Sequence, residues 1–305
     1  MRIFDLHADL AIAIRQYPNE TAVLKNHWDK RLEKGEIMYS AAASFFAGKE
    51  SWQDMMDTVT MVRNDIIASG HKPMLSMDDL DPDSDHVSYL MTVEGMCGIH
   101  DHPEEKIDWL YEQGNRIGSL EWNDENDLAT GNSGHAGRGL TDLGRRAIAR
   151  MNERHMVVDV SHANEKTFWD ILDASTRPVI ATHSNAKALC YVPRNLTDQQ
   201  IVALCDKGGL IGLNACEEFI AQKQADRSAR TLAKHARFMA DLVGVSHVAV
   251  GFDLGGYYNK AEGHDLYDPE QAQNFIEGLK AEGFSEEEIA DIAWRNVCHF
   301  LQDNL

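Results

Sequence analysis

The stretch TDLGRRAIARMNERHMVVDVSHANEKTFWDIL, residues 141–172, decides the fold. Its first part has helical period: Thr141 or Asp142 offers an N-cap oxygen, and Leu143, Ala147, Ile148 and Met151 recur on one face. MVVDVSH (156–162) is a short β-branched run that ends in His162. NEKTFWDIL (164–172) returns to helical period, with Asn164 as the cap and Phe168, Trp169, Ile171 and Leu172 as the buried face. Helix, strand and helix in so short a span is the unit of a parallel sheet covered by helices.

The same alternation runs outward in both directions. Further strand candidates are RIFDLH (2–7), YSAAASFFA (39–47), VSYLMTVEG (87–95), RIGSLEW (116–122), PVIATHS (178–184), LIGLNA (210–215) and HVAVGFD (247–253), which makes eight in all. Helical period returns around 51–69, 104–114, 198–207, 228–243 and 285–302. Eight strands with intervening helices predict a (β/α)8 barrel, one domain over 1–305, with a doubly wound open sheet as the other architecture. A barrel places its chemistry at the C-terminal ends of its strands.

Those ends carry it. In FDLHADL the first strand runs into His7 and Asp9, two apart and facing one point. The third ends in Glu94, the fifth in His162, the sixth in His183 and the eighth in Asp253. The other histidines weighed, such as His71, His86, His100, His102 and His155, have no such placement and read as surface or packing residues. Imidazoles and carboxylates together suit a divalent ion of the zinc class, with manganese or cobalt as substitutes. Six groups exceed one catalytic zinc site, which takes three protein ligands. Two ions sharing a carboxylate fit the count: His7, Asp9 and Glu94 for one, and Glu94, His162 and His183 for the other. Two such ions, about 3.5–4 Å apart, bind a hydroxide between them and polarise a carbonyl. Asp253 is then the proton carrier from that water to a leaving amine.

Composition narrows the function class. With 49 acidic residues against 29 basic ones the net charge is -20, which repels phosphate backbones and anionic membranes. No nucleic-acid or membrane partner is expected. The cysteines, Cys97, Cys190, Cys205, Cys216 and Cys298, are scattered and odd in number, and read as reduced core thiols. The N-terminus has no basic start followed by an apolar run, and no stretch is long and apolar enough to span a bilayer, so a cytoplasmic protein is expected.

The segments FDLHADL, LMTVEGM, residues 141–172 with the preceding GL, PVIATHSNAKALCYVPRNLTD and VAVGFDLGG resemble the membrane (renal) dipeptidase family of the amidohydrolase superfamily, most specifically over 139–197. The resemblance implies a β/α barrel, a dizinc dipeptidase that often tolerates a D-residue at the C-terminal position of its substrate, and a homodimer. It carries the five metal ligands to His7, Asp9, Glu94, His162 and His183, with Glu94 bridging, and the catalytic aspartate to Asp253. The family arginine that pairs with the dipeptide's C-terminal carboxylate matches Arg194 in PRNLTD, where a guanidinium can grip a carboxylate by two prongs. Two positions depart. The family histidine after the fourth strand, which touches the substrate carbonyl, is replaced in SLEWNDEND by Trp122, a donor that cannot become cationic, with Asn123 beside it as a substitute donor. After the eighth strand, Asp-Phe-Asp-Gly becomes Asp253-Leu254-Gly255-Gly256, so the second acid is lost. Two other classes remain open: a barrel amidohydrolase for a different amide or lactone, favoured less because such enzymes usually carry His-x-His at strand one, and a catalytically weak metal-binding protein.

Overall fold

Eight parallel strands form the centre of the computed structural model, which describes residues 1–81, 84–258 and 264–305. They are β1 (Ile3–Ala8), β2 (Ile37–Phe45), β3 (Ser88–Glu94), β4 (Asn115–Ser119), β5 (Val157–Val158), β6 (Ile180–Ala181), β7 (Leu210–Leu213) and β8 (Val248–Val250). The hydrogen-bonded order is β5-β4-β3-β2-β1-β8-β7-β6. The two end strands meet through a parallel bridge between Asp159 and Ile180, where Val160 N–H donates to Ile180 O at 2.9 Å. The sheet therefore closes into the expected (β/α)8 barrel.

Alternation sorts the side chains into an inner and an outer core. Phe4, Leu6, Tyr39, Leu90, Ile117, Val157, Ile180, Leu210 and Ala249 pack inside the barrel, and Val297, Phe300 and Leu301 of the helix Asn296–Asn304 pack against them. That apolar plug lies toward the N-terminal ends of the strands and leaves the C-terminal ends for polar side chains. A second, larger cluster lies between the sheet and the helices, where Ile148, Met151, Phe168 and Ile171 all sit. The caps act as the sequence suggests: Thr141 Oγ1 accepts from Gly144 N–H at 3.0 Å, and Asn164 Oδ1 from Thr167 N–H at 2.7 Å.

Three local expectations change. Trp169 is 38% exposed and not part of the buried face. Phe168, Ile171 and Leu172 fill the inner stripe at i, i+3 and i+4, and Trp169 stands the next step around the helix. Strands β5 and β6 are two residues each, shorter than 156–162 and 178–184, because the Asp159 carboxylate takes the N–H groups of Ser161 and Thr182, both at 3.0 Å. The 285–302 segment is three pieces: helices Glu286–Ala290 and Asn296–Asn304 joined by a π turn, Asp291–Arg295. Gly212 and Gly251 are required by a close approach, since a Cβ on either would stand 2.0 Å or 1.7 Å from Thr182 O. Their bareness lets the backbone before His183 run inside the barrel. No helix among the described residues is long and apolar enough to cross a membrane.

Candidate metal centre and active site

All six strand-end groups converge on the barrel mouth. β1 loses register with β2 between Asp5 and Ala8, and there His7 and Asp9 turn toward one point, with His7 Nε2 3.8 Å from Asp9 Oδ1. Beneath them the buried Asp5 ties β1 to β8, its Oδ1 accepting from His7 N–H at 3.2 Å and Phe252 N–H at 2.8 Å. Burial pushes the Asp5 carboxyl up to about 7 against those two hydrogen bonds. Glu94, at the end of β3, divides its carboxylate. Oε2 lies 3.5 Å from His7 Nε2, whereas Oε1 lies 2.7 Å from His162 Nε2 and 3.4 Å from His183 Nε2. The ligating atoms of His7, Glu94 and His183 lie within 4.8 Å of one another, as do those of His7, Asp9 and Asp253.

The proton positions follow from the partners. His162 Nδ1 is 3.0 Å from Asn123 Oδ1, an oxygen that also accepts from Asn132 Nδ2 at 3.0 Å. An amide oxygen only accepts, so the ring proton is on Nδ1 and the lone pair on Nε2. In His183, Nδ1 is 2.8 Å from Thr182 Oγ1, whose own hydrogen goes to Asp159 Oδ2 at 2.5 Å. Here too Nδ1 donates and Nε2 is bare. Yet the two Nε2 atoms face each other at 3.0 Å beside Glu94 Oε1. Two lone pairs and an anionic oxygen at that distance repel; Arg194 Nη2, 3.2 Å from His162 Nε2, offsets this at one ring, and a divalent ion would satisfy all three atoms.

The charge states agree. Burial, then Arg194, holds His162 at about 4, and burial, then His7, holds His183 at about 4, so both rings are neutral at physiological pH, as ligands must be. For His7, burial works against the cation, but Glu94 and Asp9 outweigh it and raise its pKa well above the usual value. Two further atoms, His7 Nε2 and Asp9 Oδ1, are buried without hydrogen-bond partners. The donor set, the bare lone pairs and the divided carboxylate fit divalent ions of the zinc class.

Asp159 joins the segments that follow β5 and β6 and braces His183 through Thr182 and Ser161. Its Oδ1 also accepts from Ser161 Oγ at 2.6 Å, and Ser161 Oγ accepts from His183 N–H at 3.1 Å. Asp253, after β8, has φ 54° and accepts from Asn214 Nδ2 at 3.1 Å. Burial raises its carboxyl, with His183 and His7 pulling the other way. Arg194 is 6% exposed, on the loop after β6. It donates to Ser161 O, to His162 Nε2 at 3.2 Å and to His183 O at 3.2 Å, while its Nε has no partner. Among the described residues no carboxylate pairs with this buried guanidinium within 4.0 Å. Trp122 stands against Phe45 at 5.0 Å and against the His162 ring at 6.0 Å between centroids. Asn123, expected as a substrate donor through its Nδ2, gives its oxygen to His162 Nδ1 and Asn132 Nδ2.

Asp5, Asp159, Thr182, Asn214 and Tyr258 also belong to the site, and sequence reasoning missed them. Asp159 and Thr182 had a signal, being polar residues inside apolar runs that end in a histidine. Asn214 and Tyr258, whose hydroxyl donates to Asp9 Oδ2, lie in connections after β7 and β8 and had none.

The model of the membrane dipeptidase family, peptidase family M19, matches residues 1–304. An uncharacterized protein of the pqqA 5′ region of Klebsiella pneumoniae is 35% identical over 220 residues, 69% of this chain and 80% of that protein. An uncharacterized dipeptidase of Schizosaccharomyces pombe is 30% identical over 215 residues, 70% of this chain, and the match spans only 52% of that longer protein. Among solved structures, a metallopeptidase described as dipeptidase AC of family M19 superposes with a TM-score of 0.88 at 22% identity, covering 100% of this chain and 98% of its own. A metallopeptidase from Rhodobacter sphaeroides, liganded with a phosphinate mimic of the dipeptide L-Ala-D-Ala, gives 0.87 at 21% identity, covering 100% and 99%. The chain belongs to the membrane dipeptidase family, peptidase family M19, and is a hydrolase of the metallo-dipeptidase class.

Proposed function

We propose that the chain hydrolyses dipeptides at a two-ion centre, most simply of zinc, with His7, Asp9 and Glu94 holding one ion and Glu94, His162 and His183 the other. The observation that carries this reading is the division of Glu94, one oxygen toward His7 and the other toward the facing Nε2 atoms of His162 and His183. When bound, the ions supply an activated water and polarise the scissile carbonyl.

The remaining work falls to the chain's own groups. Arg194 receives the free C-terminal carboxylate of the dipeptide, which gives the buried guanidinium its missing anion. Asp253 takes the proton released as water adds to the carbonyl carbon and returns it to the amide nitrogen, which then leaves as an amine. Asn214 holds Asp253 Oδ2, so Oδ1 is the oxygen free to carry that proton. Trp122 and Phe45 wall one side of the mouth and exclude water there, while Asn123 keeps His162 in its ligand tautomer. The Rhodobacter sphaeroides protein binds a mimic with a D-residue at the C-terminal side, and the same tolerance is proposed here.

The test is a panel of L,L- and L,D-dipeptides with zinc restored to stripped protein, together with elemental analysis of Glu94→Gln. Hydrolysis of dipeptides and loss of both ions in the variant are expected, because a neutral amide bridges two cations poorly. Cleavage of other amides or lactones but no dipeptide would point to a different barrel amidohydrolase. Tight zinc without hydrolysis would leave a metal-binding protein.

A further inference from the structure

The turn Gly255–Tyr258 follows β8 and brings the Tyr258 hydroxyl onto Asp9 Oδ2, to which it donates. The other oxygen of the same carboxylate, Oδ1, is buried, has no hydrogen-bond partner and lies 3.8 Å from His7 Nε2. Asp9 is 1% exposed, so water cannot share either oxygen freely. A carboxylate with one oxygen occupied by a hydroxyl and the other bare offers a cation a single atom. It also cannot turn freely about its last torsion, which is otherwise broad for aspartate.

We propose that Tyr258 is a positioning residue that fixes Asp9 as a one-oxygen ligand of the ion shared by His7, Asp9 and Glu94. The proposal rests on the two-ion reading above. It makes the two positions unequal in what supports them. His162 and His183 are held through Asn123, Thr182 and Asp159, all on the β4–β6 side of the barrel. Asp9 is held from the end of the adjacent strand, by one phenol that follows β8. Groups that hold a ligand from behind typically change metal affinity about 10- to 100-fold when removed. Loss of the Tyr258 hydroxyl is therefore felt at the Asp9 position and not at the other.

The neighbouring tyrosine provides the control. Tyr257 is fully buried, its ring centroid lies 4.7 Å from that of Trp28, and its hydroxyl has no hydrogen-bond partner. Tyr257→Phe removes a hydroxyl from the same turn without touching Asp9. The experiment titrates metal-stripped wild type, Tyr258→Phe and Tyr257→Phe with Co2+, followed by calorimetry and by visible absorption, and repeats the calorimetry with Zn2+. Two binding events are expected in the wild type. Tyr258→Phe should weaken one event about 10- to 100-fold, with a change in the cobalt spectrum of that event, and leave the other within twofold. Tyr257→Phe should leave both unchanged. Two wild-type affinities in Tyr258→Phe overturn the proposal while the two-ion reading stands. Equal weakening of both events, or the same loss in Tyr257→Phe, also overturns it, because the effect would then be general loosening. Fewer than two events in the wild type overturn the two-ion reading, and this proposal with it.

Discussion

Thr182→Val isolates the support behind one ligand. The hydroxyl it removes makes three contacts, donating to Asp159 Oδ2 at 2.5 Å, accepting from His183 Nδ1 at 2.8 Å and lying 3.1 Å from Ser161 Oγ. Valine keeps the branched shape, and Thr182 is 2% exposed, so no water enters to replace the oxygen. Asp159 keeps three donors on Oδ1, namely Ser161 N–H, Ser161 Oγ and Thr182 N–H, and the carboxylate stays in place. Its Oδ2 and the His183 Nδ1–H are both left without this partner. An orphaned buried polar group costs about 1–3 kcal/mol, and two groups that shared one bond are not fully additive. A loss of about 2–4 kcal/mol in folding stability follows from those two orphans. The larger consequence concerns the ring. With no acceptor at Nδ1, the proton is no longer held there, and any population with the proton on Nε2 has no lone pair to offer. Zinc affinity should fall about 10- to 100-fold, which is about 1.4–2.7 kcal/mol. Ser161→Ala is the companion variant. It removes a bond to the same Asp159 at 2.6 Å, the acceptor of His183 N–H at 3.1 Å and the 3.1 Å contact with Thr182 Oγ1, but leaves the Thr182 hydroxyl on the imidazole. The assay pairs urea unfolding of the stripped proteins with zinc calorimetry. Both variants should lose stability, and only Thr182→Val should lose affinity beyond that. Zinc binding by Thr182→Val within twofold of wild type, or an equal loss in Ser161→Ala, would refute the tautomer argument.

Amidated dipeptides should be poorer substrates than free ones by about 10- to 150-fold in kcat/KM, the equivalent of losing a charged contact to Arg194 of about 1.5–3 kcal/mol, and equal rates for the two would remove Arg194 from that role. Asp253→Asn should keep its metal and lose about 100-fold or more of turnover, the scale of general acid–base catalysis; asparagine tolerates the φ of 54° at this position, so a lost fold is not expected, and lost metal would make Asp253 a ligand instead. His7 should release its proton on metal binding: its pKa is raised in the metal-free protein, so below that raised value the proton competes with the ion, and zinc affinity should drop about tenfold per unit as pH falls. Calorimetry in buffers of different ionisation heat reads the released proton directly, and an affinity flat between pH 6 and 8, about one unit to either side of neutrality, would contradict it.

The barrel was legible because its strands alternate with amphipathic helices, and a barrel's strand ends are where polar side chains can survive next to an apolar interior. His7, Asp9, Glu94, His162, His183 and Asp253 stood out for that reason, each ending an apolar run, and the structure brings all six to one mouth. What stood behind them was not legible. In MVVDVSH the acid at Asp159 marks a polar break in an apolar run, but its partners do not follow from that: it binds Ser161 and Thr182, which shortens β5 and β6 to two residues each. Asn123 sits beside Trp122 in sequence and read as a donor for substrate; that its oxygen also sets the tautomer of His162 was not legible, because the pairing joins two different strand ends. Tyr258 reaches Asp9 across 249 residues of chain, a pairing that no local pattern records. Trp169 was misplaced because aromatic residues next to a buried stripe look buried by composition, whereas rotation around the helix puts it toward solvent.

The central claim is that dipeptide hydrolysis needs two ions held by one divided carboxylate. The most direct measurement is the rate of L-Ala-D-Ala hydrolysis by stripped protein as zinc is added in known equivalents. The account predicts that the rate reaches its plateau at two equivalents per chain. A plateau at one equivalent, or no hydrolysis with two ions bound, would contradict it.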